Sequence, residues 1–405
     1  MRRSIVFLYF IMSFAIFINA QIDSTHIDSN FTLYDLNNKT NNTKLSYGNK
    51  GIEFQYSDSY LMQVQWRFQF RFQTFSEDPN FIINNADDMD ASFNLQRGRI
   101  KVGGYTYKPF IKYYLEFDFP SAYLLNWQFT IDKFKAFQIK LGQWKIKYNT
   151  ERYISSGKQE LIDRSTSNYY FTLDRQIGVM VKGELFEGKA ISSSYNLGLF
   201  NGNGRMAQNN DGKFLLFARY QLNFSKKAIK MSYSDIERVQ KLEGFIAFSY
   251  VRNQSAYTRF SSNGGGQLPG YSENKKLRYL INQYNFETMF KFKGLSLSSE
   301  YHIKNIDDKE TNQLSQLSGG TVMAGYFFNE LVNFIPKQLE MVIRYAQVSN
   351  NTFFDDDIYE YNIGLNWFFK GHLNKLTADF TFLENKDFVS ANDNYRFRLQ
   401  WDVSF

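Results

Sequence analysis

The chain contains no cysteine, which excludes a disulfide framework and any thiolate chemistry. Its three histidines, His26, His302 and His372, are too scattered to give zinc-ligand spacing. A Ser-His site around His302, which shares a polar strand face with Glu300 and Lys304, is the weakest reading, since nothing else marks a catalytic partner. The Asn201-Gly202-Asn203-Gly204 run precedes no helix, so it is a loop tip and not a phosphate cradle. No enzyme, cofactor, metal or nucleic-acid signature stands out. Proline is scarce, at five residues, and no Pro/Ser-rich linker divides the chain into soluble domains. After the first twenty residues, nothing approaches the roughly 20 continuous apolar residues of a transmembrane helix.

A mean hydropathy of −0.44 would suit a soluble protein, but the aromatic content does not. The 42 Phe and 28 Tyr help bring aromatic residues to 19%, far beyond what a globular core uses. Met62 to Gln73 shows where they go. Its even positions are Met62, Val64, Trp66, Phe68, Phe70 and Phe72, and its odd positions are Gln63, Gln65, Arg67, Gln69, Arg71 and Gln73. Successive side chains of a strand point to opposite faces, so this stretch has one apolar face and one polar face that lacks any acid. Such a wall separates lipid from water, as in an outer-membrane β-barrel.

The chain opens Met1-Arg2-Arg3, an apolar run Ile5–Ile18, then Asn19-Ala20. This is the pattern of a secretory signal peptide over 1–20. Without it, 45 basic residues face 40 acidic ones, because the leader holds two arginines and no acid. Residues 21–50 are rich in Asn, Asp, Ser and Thr and read as a flexible periplasmic tail. Residues 51–405 alternate with period two in sixteen stretches, at about 62–73, 93–103, 111–119, 123–133, 136–145, 174–186, 190–200, 213–224, 243–254, 277–292, 293–305, 318–329, 337–348, 358–370, 373–384 and 395–405. An even count returns both ends to the periplasm. Short links (104–108, 133–136, 186–190, 292–294, 370–373) fall on one side, and long ones (76–90, 146–173, 254–277, 347–358) on the other, as barrels require. The long link 225–242 breaks this rule. The last strand ends on Phe405, the terminal aromatic of an amphipathic strand.

The stretches Asn94-Leu95-Gln96-Arg97-Gly98-Arg99, Tyr114-Leu115-Glu116-Phe117-Asp118 and Leu141-Gly142-Gln143-Trp144-Lys145 carry a recognisable pattern. It continues through Leu161-Ile162-Asp163-Arg164-Ser165, Asp174-Arg175-Gln176-Ile177-Gly178 and Leu199-Phe200-Asn201-Gly202. With these motifs, most of 51–405 resembles the phosphate-selective porin O and P family. Ile146-Lys147-Tyr148 stands where the family has a proline-phenylalanine step. The resemblance implies a trimeric sixteen-stranded porin in which the third outer loop, here Ile146 to Leu173, folds into the lumen and the channel favours anions.

The residues point the same way. Arg67, Arg71, Arg97, Arg99, Lys101, Lys112 and Lys140 are expected to line the lumen, and Lys145, Lys147, Arg152, Lys158 and Arg164 the loop constriction. A ring of fixed cations concentrates anions and opposes cations. Pairing with Glu116, Asp118, Glu151, Glu160 and Asp163 would cancel that field. The expected function is a passive, anion-favouring channel in the cell outer membrane. Its partners would be membrane lipid, small anions such as phosphate or polyphosphate, and two further copies of the chain. The alternative is a loop-plugged barrel serving as a subunit of a larger envelope complex.

Overall fold

The computed structural model describes residues 31–34, 43–48, 51–74, 91–209, 212–272, 279–350, 357–385 and 394–405. The expected signal peptide and the acidic loop 77–90 lie outside these residues. Sixteen of the strands form the wall, and each coincides with a stretch of period-two alternation: β4 (Tyr60–Thr74), β5 (Ala91–Thr106), β6 (Lys108–Asp118), β7 (Tyr123–Phe134), β8 (Phe137–Lys145), β9 (Arg175–Leu185), β10 (Ser192–Phe200), β11 (Leu215–Asn223), β12 (Glu243–Ser255), β15 (Tyr279–Phe292), β16 (Leu295–Asp308), β17 (Gln313–Tyr326), β18 (Leu339–Asn350), β19 (Ile358–Lys370), β20 (Asn374–Asn385) and β21 (Asn394–Ser404). Their neighbours are antiparallel throughout. β21 returns to β4 in a register running from Phe397↔Thr74 to Ser404↔Arg67. The wall is therefore a closed barrel with no free edge in lipid.

Along β4 the two faces separate as the alternation demands. Arg67, Gln69, Arg71 and Gln73 are buried, while Phe70 is 46% exposed on the outside. Outer rings stack along β4 and across the seam, with Phe68 6.3 Å from Phe70 on its own strand and 6.0 Å from Phe405 at the chain end. β17 begins at Gln313, five residues before the expected start at 318, because its outer turn is polar and carries no apolar alternation. Two of the links on the long-loop side, 119–122 and 309–312, are themselves tight.

Residues assigned from sequence to a flexible tail include strands. β1 (Phe31–Tyr34) and β2 (Thr43–Gly48) precede β3 (Gly51–Tyr56). β3 lies against β4 from Ile52↔Val64 to Tyr56↔Tyr60, on the same edge of β4 that β21 occupies further along. Gly51 is required here, since a Cβ on it would fall 2.1 Å from the Val64 carbonyl oxygen. The Asn, Asp, Ser and Thr that dominate 21–50 hid β1 and β2 from a reading of composition. The remaining pair, β13 (Arg259–Ser261) and β14 (Gly264–Gly266), forms a hairpin in the long link after β12.

Candidate functional site

Residues 146–174 join β8 to β9 and carry two short helices, α1 (Thr150–Tyr153) and α2 (Thr166–Phe171). Ser165 caps α2, its Oγ accepting the Asn168 N–H at 3.3 Å, which satisfies one of the donors a helix start leaves open. The segment is tied to the polar faces of distant strands. Glu287 of β15 accepts from the Thr150 N–H and hydroxyl at 2.8 and 2.5 Å. Glu360 of β19 accepts from the Thr166 N–H and hydroxyl at 2.5 and 2.6 Å. Asp379 of β20 accepts the Ile162 N–H at 2.9 Å. Lys304 and Lys375 donate to the carbonyls of Tyr170 and Gln159 at 2.9 and 2.5 Å.

Small residues on the wall make room for this segment. A Cβ on Gly364 would sit 2.5 Å from Leu161 Cδ2, and one on Gly325 2.7 Å from Glu160 Oε1. Apolar side chains then complete the contact. Tyr148 and Leu173 pack with Phe200 and Phe217, and Phe171 with Ile281 and Ile306. His302 is enclosed here. Its ring stacks on Phe171 at 5.0 Å and meets Tyr148 Oη at 3.4 Å and Glu300 at 3.3 Å. Among the described residues no serine hydroxyl bonds to it.

The basic residues expected at the site divide into two groups. One group is neutralised. Arg67 pairs with Asp402 at 2.6 Å, Arg71 with Asp163 at 2.9 Å, Arg99 with Glu116 and Asp118 at 3.0 and 3.3 Å, Lys112 with Asp132 at 2.5 Å, and Arg152 with Asp174. The other group meets neutral acceptors or rings and, among the described residues, forms no ion pair. Arg97 donates to Gln69 at 2.6 Å, Lys101 to Gln65 at 3.2 Å and Lys147 to Gln221 at 2.9 Å. Lys140 lies 4.6 Å from the Trp144 ring centre. Lys145 donates to the carbonyls of Arg152, Tyr153 and Ile154 at 3.0–3.5 Å. Arg164 Nε donates to the Glu151 carbonyl, and its Nη2 to that of Ile154, each at 2.8 Å. Lys158 is exposed.

Charge in the loop follows its surroundings. Burial pushes the Asp163 carboxyl up, but Arg71 and Arg398 outweigh it and hold the group well below the carboxylate range. Burial, joined by the Arg219 charge, brings Lys147 down to about 7, so much of its charge is lost at neutral pH.

A cavity of about 1410 Å³ remains beside β4–β8, between the loop and the link 224–242. Twelve lysine or arginine residues line it against four acids, Glu116, Asp235, Glu237 and Glu243. Lys101, Lys140, Lys145 and Lys158 are among the twelve. Sequence reasoning missed Lys226, Lys227, Lys230, Lys241, Lys291 and Lys370. The first four belong to the anomalous link, whose basic run was itself the signal. It also missed Arg344, which bridges Glu151 and Glu360 at 3.2 and 2.8 Å. Its inward parity on β18 marks it.

The fold recurs in solved outer-membrane proteins. An in-vitro folded OmpT of Vibrio cholerae is 11% identical, with 85% of this chain and 97% of that chain covered at a TM-score of 0.56. An anion-selective porin from Comamonas acidovorans is 9% identical, covering 85% and 99% at 0.53. The outer membrane channel DcaP of Acinetobacter baumannii is 11% identical, covering 85% and 97% at 0.54. At these identities the likeness concerns the barrel alone. A comparison with curated proteins finds no match. The family model for phosphate-selective porin O and P matches residues 62–402, which spans all sixteen wall strands but for their terminal residues, and the chain therefore belongs to the phosphate-selective porin O and P family.

Proposed function

We propose that this outer-membrane porin is a passive channel that favours small anions such as phosphate, with a solute path along the β4–β8 wall. The observation that carries this reading is the lining of the 1410 Å³ cavity, where twelve lysine or arginine residues, among the described residues only Arg67 and Arg99 of them paired with acids of the wall, face four acids. The opposite wall contributes little field, because its acids Glu287, Glu360 and Asp379 are paired with Arg219, Arg344 and Arg398. Lysine ammonium groups act as hydrated point charges, so the site concentrates anions without gripping one in a fixed geometry. Diffusion asks for no catalytic group. Selectivity comes from pore width and from the field at the narrow point.

The exposed Lys158, Lys226, Lys227 and Lys230 carry most of the selectivity in this reading, with Lys101, Lys140, Lys145, Arg97 and Arg164 beside them. Arg67, Arg71, Arg99, Lys112 and Arg152 serve chiefly to hold acids and the loop. Three copies of the chain would form the working unit, as in a trimer form of OmpT from Vibrio cholerae. Zero-current potentials in a salt gradient across a planar bilayer test the proposal. Lys158, Lys226, Lys227 and Lys230 replaced together by glutamate are expected to turn an anion preference into a cation preference. An unchanged potential in a conducting variant would move the selective region elsewhere.

One observation favours a second reading, a plugged barrel serving a larger envelope complex. Three apolar clusters bury residues of segment 146–174 against the wall. Absence of any single-channel current from the purified wild-type protein would decide for it.

A further inference from the structure

β11 and β12 are neighbours in the sheet, paired from Leu216↔Arg252 to Asn223↔Phe245. A tight turn would join them, yet the link occupies 224–242. It crosses the short-turn mouth to the opposite wall and returns. Ser234 Oγ donates to Glu340 of β18 at 2.9 Å. Asp235 accepts the Gly294 N–H of the turn between β15 and β16 at 2.8 Å. Arg238 donates to the Lys337 carbonyl at 2.7 Å, and Lys291 of β15 donates to Ser232 Oγ and the Ser234 carbonyl at 3.0 and 3.1 Å.

The apex of the link reaches the loop itself. The Tyr233 N–H donates to the Lys158 carbonyl at 3.3 Å. Ile229 and Tyr233 are buried in one cluster with Ile154 and Leu161 of the loop, and Met231 packs on that cluster's edge. In sequence Ile229, Met231 and Tyr233 alternate with Lys230 and Ser232, both of which line the cavity. One segment thus presents an apolar edge to the loop and a polar edge to water. A periplasmic turn with no task in the lumen would have no cause to bury an isoleucine and a tyrosine there.

We propose that the link 224–242 is an internal strap, with Ile229 and Tyr233 as positioning residues that pin loop residues 154–161 and so set the width of the channel beside Lys145 and Lys158. The proposal rests on the channel reading for its effect on current, but the mechanical part stands without it. If the strap is released, residues 154–161 lose one of the two surfaces between which they are held. The loop then samples positions further from the β15–β18 wall, and the channel both widens on average and fluctuates.

The absence of cysteine makes the test clean. Ile154→Cys places a single thiol in the buried cluster, where Ile154 is 1% exposed. Its reaction with a small water-soluble methanethiosulfonate is followed in the full-length barrel, with and without replacement of 227–240 by a short glycine-serine turn. The strapless barrel, still heat-modifiable on gels, is expected to label at least tenfold faster, to conduct at least twice as much and to show more open-channel noise. The Ile229→Ala, Tyr233→Ala double variant, which keeps the link, is expected to shift both readouts the same way and serves where the shortened chain does not fold. Unchanged labelling in a folded variant overturns the strap. Faster labelling in a barrel that passes no current even as wild type upholds the strap and rejects the channel.

Discussion

Asp163, in the loop, accepts from Arg71 of β4 through both carboxylate oxygens, at 2.9 and 3.2 Å, and from Arg398 of β21 as well. One loop acid thus holds the two strands on either side of the barrel seam. Arg71 and Arg398 keep its pKa well below the usual range despite burial. A depressed carboxyl contributes stability that is complete above the unfolded value of about 3.9 and is lost as pH falls through the folded value. This latch therefore stays closed across pH 5–8. Asp163→Asn removes the charge but keeps the shape, so one negative charge beside Arg71 and Arg398 is lost while Arg398 keeps Asp379. The anion-to-cation permeability ratio is expected to rise roughly two- to fivefold, the scale of up to about 1 kcal/mol set by one unit charge acting through water. A reversal potential equal to that of the wild type would mean that solutes do not pass near Asp163.

Thiol labelling tests which face of β4 is wet. Gln65 and Lys101 line the cavity, so Gln65→Cys and Lys101→Cys are expected to react with a charged, water-soluble reagent. Phe68→Cys and Phe70→Cys face lipid and are expected to resist it. Arg67 is 2% exposed and held by Asp402 and Ser156, so Arg67→Cys is expected to react slowly although it lies on the inner face. The opposite order at 65 and 70 would invert the barrel.

The closing seam makes a third prediction. The N–H of Trp66 donates to the Phe405 carbonyl at 2.8 Å, and that of Phe405 to the Trp66 carbonyl at 3.1 Å. Removing Phe405 leaves two backbone groups of Trp66 unpaired at the end of the wall, at a cost of about 1–3 kcal/mol each where water is excluded. Outer-membrane yield of the variant is expected to fall. Normal accumulation of a heat-modifiable barrel would show that the last residue is dispensable for assembly.

Much of this architecture was legible in the sequence because a barrel wall writes itself in a two-residue period. Met62–Gln73 showed both faces, and the acid-free polar face of β4 became the buried Arg67, Gln69, Arg71 and Gln73. Pairing was not legible. Arg67 and Asp402 are 335 residues apart and meet only because the barrel closes, so a residue that reads as a free lumen cation becomes half of an ion pair. The strap failed for a related reason. Its alternation of Ile229, Met231 and Tyr233 is real, but no neighbouring strand pairs with it, and the surface that buries those side chains belongs to a loop far along the chain.

The last prediction concerns pH and rests on Glu160. Its carboxyl accepts from Ser296 Oγ at 2.5 Å, with Lys291 of β15, Lys375 of β20 and Glu340 of β18 as the charged groups around it. Ser234 of the link and Asn366 of β19 bind Glu340 Oε2, each at 2.9 Å, while the buried Oε1 has no donor among the described residues. Two buried carboxyls this close are stable when they share a proton. Burial pushes Glu160 up to about 7, against the pull of Ser296 and the two lysines. A raised carboxyl has the opposite sign to Asp163. Its proton is retained in the folded loop, so the contribution is complete below the unfolded value of about 4.3 and is lost as pH rises toward 7. The loop is therefore expected to loosen between pH 5 and 8, seen as faster labelling of Ile154→Cys and larger open-channel fluctuations at the higher pH. Glu160→Gln offers Glu340 a permanent donor and carries no charge to develop. In that variant both signals are expected to stay flat over the same range, while the barrel itself remains folded. If Glu160→Gln keeps the full pH response, the titrating group lies elsewhere, and the junction between loop and strap is held by packing alone.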